Sequence, residues 1–466
     1  MELPRDFIQY MEGFMGEFLW TELRNGLTEE APVSIRMNPF KAQDMTADEG
    51  TPVPWCPQGW YLPTRPVFTS DPLFHAGAYY VQEASSMFLD AVLRQYVKEP
   101  VTMLDLCAAP GGKSTVARTV LPQGSLLVSN EPIRKRAQIL MENIQKFGHA
   151  DVMVTNNYPH DYASSDLQFD VILADVPCSG EGMFRKDAEA IGEWSRQNVE
   201  KCWHLQREIV TDIWDCLRPG GLLIYSTCTF NALEDEENVR YIRDELGAEV
   251  LPVTIDPSWN ITGSLVKDFP EPVYRFLPGR TRGEGLFMAL LRKEGDAVNT
   301  GKRKNKEKDR KEKKQKVEIP VEWLLRVDDY DFVQQGAKVL AIPRKWKSFY
   351  NQAAKVLQVM HVGITIGEIK GKDLIPDQSL ALSTERHPQA FPTVELTVDE
   401  ALGYFRKETL PGLADSPKGY TLVTCQGLPL GFLKNLGNRT NNLYPQEWRI
   451  KSSHITAPCQ IIHRNK

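Results

Sequence analysis

From about residue 101 the chain alternates short apolar runs with longer stretches of helical periodicity, the pattern of a parallel sheet covered on both faces. The runs VTMLDL (101–106), SLLVSNE (125–131), DVMVTN (151–156), FDVILADV (169–176) and GGLLIYST (220–227) predict strands in that order. The segment YRFLPGRTRGEGLFMALLRK, from Tyr274 to Lys293, predicts two antiparallel strands around a glycine-containing connection that close the sheet edge. Upstream, SIRMNP and the aromatic tract WCPQGWYLPTRP predict a small lead-in domain. Downstream, residues 317 to 385 mix short strands and helices, and GYTLVTCQGLPLGFLKNLGNRTNNLYPQEWRIK reads as β hairpins with Gly and Asn turns. The fold class is therefore α/β, a mostly parallel sheet with an antiparallel edge. The expected divisions are a small α+β domain at 1–75, the sheet domain at 76–293, a linker at 294–316, a first C-terminal domain at 317–390 and a β module at 391–466.

Length agrees with this division, since 466 residues, 42% of them hydrophobic, exceed one ordinary core. The eight cysteines form no CxxC pair, and MELPRDFIQYMEG lacks the basic-then-apolar order of a secretion signal, so reduced thiols in a cytoplasm are expected. No apolar run approaches the length of about 18 residues needed to cross a bilayer. The net charge of −6 argues weakly against nucleic acid, but it is an average: Lys302 to Lys316 carries ten basic and three acidic residues, leaving −13 for the remainder. A solvated linker is the plain reading of such a run, and a linker can still touch RNA.

The first strand of the sheet runs into CAAPGGKST, Cys107 to Thr115. Small residues, a proline and two glycines before a helix start let backbone N–H groups approach a ligand at the carboxyl end of a strand. The spacing fits neither G-x-x-x-x-G-K-[ST] nor G-x-G-x-x-G, which disfavours a nucleoside triphosphate. Glu131 ends the second strand, nineteen positions after Gly112. It reads either as a carboxylate for the two hydroxyls of a ribose or as a helix-start acid before Pro132. After the third strand, Asn156 or Asn157 is a candidate for an adenine edge, though a turn also accounts for both. Cys178, in DVPCSGEG, and Cys228, in YSTCTF, each stand just past a strand end. Asp175 precedes Cys178 by three residues and reads as a turn former or a substrate ligand. Cys202 and Cys216 have no flanking zinc pattern and read as core, and no metal site is expected.

Together DLCAAPGGKST, DVPCSGEGMFRK and YSTCTFNALEDEENV resemble the RNA cytosine-5 methyltransferases of the Nol/Nop/Sun family. The likeness extends to SIRMNP, YYVQEASSM and GEGLFMALL and covers roughly residues 30 to 293. The C-terminal part resembles the bacterial RsmF branch, whose members modify 16S ribosomal RNA and end in a PUA-like RNA-binding fold. The resemblance implies a Rossmann-like methyltransferase domain using S-adenosylmethionine. It implies that Cys107, Ala108, Ala109, Pro110, Gly111, Gly112, Lys113, Glu131, Arg136, Asn157 and Asp175 hold the cofactor. It also implies that Cys228 attacks carbon 6 of cytosine, that Cys178 assists product release, that Asp175 binds the ring nitrogen and amino group, and that Lys113 favours the thiolate. DNA enzymes instead use a Pro-Cys thiol like Cys178 as nucleophile. The expected protein is a cytoplasmic monomer acting on ribosomal RNA, naked or within the small subunit; the rivals are a non-catalytic ribosome assembly factor and methylation of another RNA such as tRNA. The C-terminal Lys434, Arg439, Arg449 and Lys451 are expected at phosphates, with Phe432 and Trp448 in the module's core. Removal of residues 317 to 466 is expected to leave a folded, cofactor-binding domain.

Overall fold

The structure, a computed structural model, describes residues 2–47, 49–295, 320–410, 417–451 and 459–464. The basic run Lys302 to Lys316 lies outside the described residues. The described residues build a nine-stranded central sheet. Its strands are β1 (Thr102–Asp105), β2 (Leu126–Asn130), β3 (Val152–Thr155), β4 (Phe169–Asp175), β5 (Leu217–Thr227), β6 (Ala248–Leu251), β7 (Val273–Phe276), β8 (Leu286–Lys293) and β9 (Val359–Val362). The spatial order is β6-β8-β5-β4-β1-β2-β3-β9, with β7 also on β8. Pairings among β1 to β5 are parallel, whereas β8 runs antiparallel to β5, β6 and β7.

Each apolar run that predicted a strand is buried on both faces, as in FDVILAD, where residues 171–174 are all below 2% exposed. Helices supply the covering layers: α1 (Arg5–Thr28), α2 (Gly112–Val120), α3 (Arg134–Phe147), α4 (Arg196–Trp214) and α5 (Glu236–Asp244). In α4, Val199, Gln206, Ile209, Val210 and Ile213 recur at helical spacing and face the sheet. Ser195 caps its start by accepting from Asn198 N at 3.1 Å. Gly111, at φ 115°, turns the chain from β1 into α2 through a left-handed conformation that a side chain would strain.

Two edges differ from the sequence expectation. The pair β7 and β8 does not close the sheet alone, because β6 lies beyond β8, a short strand whose alternation ALA-GLU-VAL-LEU carried little signal. At the other edge, β9 comes from beyond residue 317 and pairs antiparallel with β3. The extension is therefore part of the core of the sheet domain: Leu340, Ile342, Tyr350, Leu357 and Val362 join the cluster containing Tyr162, Phe169 and Ile213. The N-terminal and C-terminal modules merge as well. Residues 45–47 pair with 462–464, and Ile35 and Tyr79 share a cluster with Tyr404, Phe405 and Tyr444. Helix α1 sends Phe7 against Trp20, Phe184 and Trp194, with ring centroids 5.2–6.0 Å apart. No helix among the described residues is long and apolar enough to cross a membrane.

One acid is built into the sheet itself. Asp105, at the end of β1, is fully buried; Oδ2 accepts from Ser114 Oγ at 2.6 Å, and Oδ1 has no hydrogen-bond partner among the described residues. Burial pushes its pKa up to about 7, the Ser114 bond opposing and the Asp175 charge reinforcing the shift.

Two outcomes follow. Deleting residues 317–466 bares the partners of five apolar side chains, each contributing about 1.5–3 kcal/mol, which is comparable to a domain's whole margin of about 5–15 kcal/mol. The truncated chain is expected to aggregate or lose its cooperative melt, checked by size-exclusion chromatography and calorimetry; an unchanged melt would make the extension a detachable module. Asp105 holds its proton in the folded state up to about pH 7 but only to about pH 3.9 when unfolded, so the stability it contributes is lost as pH rises through about 7. Urea unfolding at acidic and alkaline pH is expected to show Asp105→Asn losing less stability than wild type as pH increases.

Candidate active site

Strands β4 and β5 are parallel neighbours in register, with Asp175 opposite Ser226, so the two loops leaving them start side by side. That register alone brings the thiols together. Cys178 follows Asp175 by three residues, Cys228 follows Ser226 by two, and their sulfurs stand 3.0 Å apart. Gly182 N donates to Cys228 O at 2.8 Å, and a Cβ at Gly182 would sit 3.0 Å from that oxygen, so this close crossing needs a glycine. The Cys178 thiol is pushed well above its ordinary range, first by its hydrogen bond with Cys228 and then by burial. Either sulfur can donate its S–H to the other.

Lys113, on the first turn of α2, lies 2.8 Å from Asp175 Oδ2, while Ser226 Oγ donates to Asp175 Oδ1 at 2.7 Å. Burial acts to lower the Lys113 pKa, but the charge and hydrogen bond of Asp175 outweigh it, and the Cys228 charge adds to the upward shift. The ammonium therefore stays charged beside the thiol pair. A cavity of about 200 Å³ opens beside Lys113 and Asp175, lined by the loop from Cys107 to Gly112 together with Tyr80, Gln82, Glu83 and Ser86. Burial and three neighbouring acids raise the Cys107 pKa, so this thiol is a neutral wall.

Glu131 is 1% exposed, and its two carboxylate oxygens differ in their surroundings. Oε1 accepts from Ile133 N at 3.0 Å, the helix-start role. Oε2 has no hydrogen-bond partner among the described residues and only the Arg136 guanidinium nearby, at 3.5 Å. A buried carboxylate oxygen in that state fits the hydroxyls of a ribose. Arg136 also donates to Ala109 O at 3.0 Å, and Asn143 to Pro110 O at 2.8 Å, which fixes the loop's course.

Asn157, a candidate for the adenine edge, is bonded to the approach of β9. Its Oδ1 accepts from Gln358 N at 3.0 Å and its Nδ2 donates to Gln358 O at 3.4 Å, tying β9's approach to the end of β3. Asn156 donates to the carbonyls of Glu131 and Pro132, both at 2.8 Å. In the C-terminal module Phe432 and Tyr444 are buried, Trp448 is partly buried, Lys434 reaches Asp373 at 3.3 Å, and Arg439, Arg449 and Lys451 are exposed.

Sequence reading missed the acids under the thiols. Glu234 accepts from Ser179 N at 3.0 Å, Gln206 Nε2 at 2.7 Å and Asn231 Nδ2 at 2.8 Å, and also from Ser179 Oγ. Glu181 accepts from Phe230 N at 2.6 Å, Trp194 Nε1 at 2.9 Å and Asn231 Nδ2 at 3.1 Å. Asp235 holds both hydroxyls flanking Cys228, Thr227 at 2.6 Å and Thr229 at 3.0 Å, and pairs with buried Arg275 at 2.8 Å. Burial, aided by the charge of Glu234, pushes Glu181 up to about 7. The signal was present as the acids of SGEG and LEDEEN, but acids beside turns are ordinarily solvated, and only tertiary packing buries these.

Family models match in three places. Residues 3–84 match the N-terminal domain of 16S rRNA methyltransferase RsmF, residues 93–292 match 16S rRNA methyltransferase RsmB/F, and residues 391–450 match the methyltransferase RsmF PUA domain. Ribosomal RNA small subunit methyltransferase F of Cronobacter sakazakii is 30% identical over 439 residues, covering 85% of this chain and 84% of that protein. The enzyme of the same name from Aliivibrio fischeri is 30% identical over 414 residues, covering 85% of each. Among solved structures, a methyltransferase homolog protein from Pyrococcus horikoshii superposes with a TM-score of 0.53 at 24% identity, over 62% of this chain and 95% of that one. The structure of NSun6 from Pyrococcus horikoshii with SFG gives 0.53 at 19% identity, over 63% and 99%. These two likenesses speak for the fold, a Rossmann-like methyltransferase. The cofactor loop and both thiol loops fall inside the central match, and with relatives at 30% identity across most of its length the chain belongs to the RsmF family of 16S ribosomal RNA methyltransferases.

Proposed function

We propose that this chain methylates carbon 5 of a cytosine in 16S ribosomal RNA, with S-adenosylmethionine as methyl donor and Cys228 as a transient covalent partner of the base. The observation that carries the reading is the pair of free thiols 3.0 Å apart, beside an ion-paired lysine and aspartate at the carboxyl ends of the parallel strands. Carbon 5 of cytosine is a weak nucleophile, and two thiols at one point supply what it lacks. When bound, S-adenosylmethionine supplies an electrophilic methyl group. Glu131, with its orphaned Oε2, and the loop from Cys107 to Gly112 are suited to hold it.

The Cys228 sulfur would form a bond to carbon 6 as the electron pair of the 5,6 double bond moves to carbon 5, and carbon 5 would take the methyl group as the methyl–sulfonium bond breaks and S-adenosylhomocysteine leaves. A base removes the carbon 5 proton. Its electron pair restores the double bond, and the bond between carbon 6 and sulfur breaks to return the Cys228 thiolate. A free thiol has a pKa of about 8.5, so the thiolate needs help near neutrality. The Cys178 S–H and the Lys113 ammonium supply it. Asp175, anchored by Ser226, accepts from the amino group beside the ring nitrogen and so orients the base as carbon 6 is attacked. Attack by Cys228 with release assisted by Cys178 is the RNA-type assignment, and membership of an RNA methyltransferase family favours it over the DNA-type one. A cytoplasmic location follows from a ribosomal substrate. The exposed Arg439, Arg449 and Lys451 are placed to meet phosphates, while the rings of their module serve its core.

Cys228→Ala is expected to abolish both methylation and covalent capture of 5-fluorocytosine RNA, whereas Cys178→Ala still attacks the ring and accumulates a protein–RNA adduct on denaturing gels. The reverse pattern would exchange the two roles. Glu131→Ala is expected to weaken S-adenosylmethionine binding by about 1–3 kcal/mol in calorimetry and to leave RNA binding intact. Unchanged affinity would leave Glu131 with its helix-start bond alone.

A further inference from the structure

Resting on the cytosine reading above, we infer that Gln82 is a specificity determinant, donating a hydrogen bond from its side-chain amide to the O2 carbonyl of the target cytosine in the cavity beside Lys113 and Asp175. Gln82 is 6% exposed and lines that cavity. Its backbone is pinned to the first strand of the lead-in domain: Gln82 N donates to Ser34 O at 3.2 Å, and Ser34 Oγ donates to Gln82 O at 2.5 Å. Its Oε1 accepts from Arg36 Nε at 2.9 Å. Arg36 is 1% exposed and also donates to Thr119 Oγ1 at 3.1 Å and Thr115 Oγ1 at 2.5 Å, both on α2.

A guanidinium has donors only, so the amide must turn its oxygen toward Arg36 and its nitrogen away. That nitrogen has no hydrogen-bond partner among the described residues. It lies toward Gly112, another wall of the cavity, and a buried donor left unmade beside a cavity calls for an acceptor bound there. The cavity's polarity selects the kind. It offers a neutral donor at Gln82 and, at Lys113 and Asp175, a cation and an anion already paired to each other. Cytosine presents acceptors at O2 and N3 and a donor at its amino group, which matches a donor at one end and Asp175 at the other. A carboxylate or phosphate would meet the Asp175 charge, and uracil would set O4 against it. This assignment also accounts for SIRMNP and YYVQEASSM, the two upstream motifs that the thiol chemistry leaves unused.

The test is Gln82→Glu, which keeps the shape and an acceptor for Arg36 but replaces the free donor with an acceptor. In the full-length protein, S-adenosylmethionine affinity by calorimetry is expected to stay within about twofold of wild type. The rate of adduct formation with 5-fluorocytosine RNA and the turnover number are expected to fall by about tenfold to a hundredfold, with the melting temperature retained. If Gln82→Glu fails to fold, Gln82→Met, of similar length and without the donor, is read in the same assays. An unchanged rate overturns the proposal. So does a loss of cofactor affinity equal to the loss of rate, which would assign the amide to the cofactor's methionine arm. Failure of the wild-type protein itself to form an adduct would instead defeat the cytosine reading on which the proposal rests.

Discussion

The two thiol loops leave the sheet where its ladder can no longer satisfy their backbone groups, and buried carboxylates take over that task. Glu234 receives Ser179 N beside one cysteine, and Glu181 receives Phe230 N just past the other. Asn231 donates to both carboxylates and so couples the loops. Carboxylate acceptors make strong bonds to N–H donors, and inside a low-dielectric core such bonds admit little play. A sulfur–sulfur separation of 3.0 Å is held this way without a covalent link. The cost is a set of acids whose burial disfavours their charge, partly offset by Arg275, which bonds Asp235 and Glu236 and the carbonyl of Phe230.

That arrangement explains why the molecule is not a catalytic domain with appendages. The loop holding Cys178 packs through Phe184 against α1, and the cofactor helix α2 is gripped by Arg36 from the lead-in domain. At the opposite edge β9 covers β3, whose end also carries the turn beside Glu131. Modules at both ends of the chain thus bear on the residues that surround the cavity. An RNA bound across them would meet the catalytic groups as one body.

The electrostatics are arranged in the same economical way. Lys113 and Asp175 neutralise each other, while burial and the negative field that Asp105 and Glu131 lend the cofactor loop keep Cys107 neutral. Exposed positive charge lies elsewhere, at Arg439, Arg449 and Lys451 of the C-terminal module.

Strand order in the parallel part, the glycine turn of the cofactor loop, the strand-end acid Glu131 and the two strand-end thiols were legible in the sequence, because each depends on local pattern: burial of a continuous apolar run, a backbone position only glycine adopts, a reactive residue past a strand. The antiparallel pair β7 and β8 was legible for the same reason. What the sequence left open was everything set by contacts distant along the chain. The strand β9 is four residues paired with a segment two hundred positions earlier, and nothing in VMHV distinguishes that partner from any other edge. Asn157 read as a candidate for a base edge, and its bond to Gln358, two hundred positions later, could not be read from its own loop. Acids in SGEG and LEDEEN looked like solvated turn residues, and tertiary packing turned them into the internal acceptors that set the thiol geometry. The orientation of the Gln82 amide is of the same kind, fixed by an arginine forty-six residues away whose five N–H groups leave the amide oxygen only one way to face.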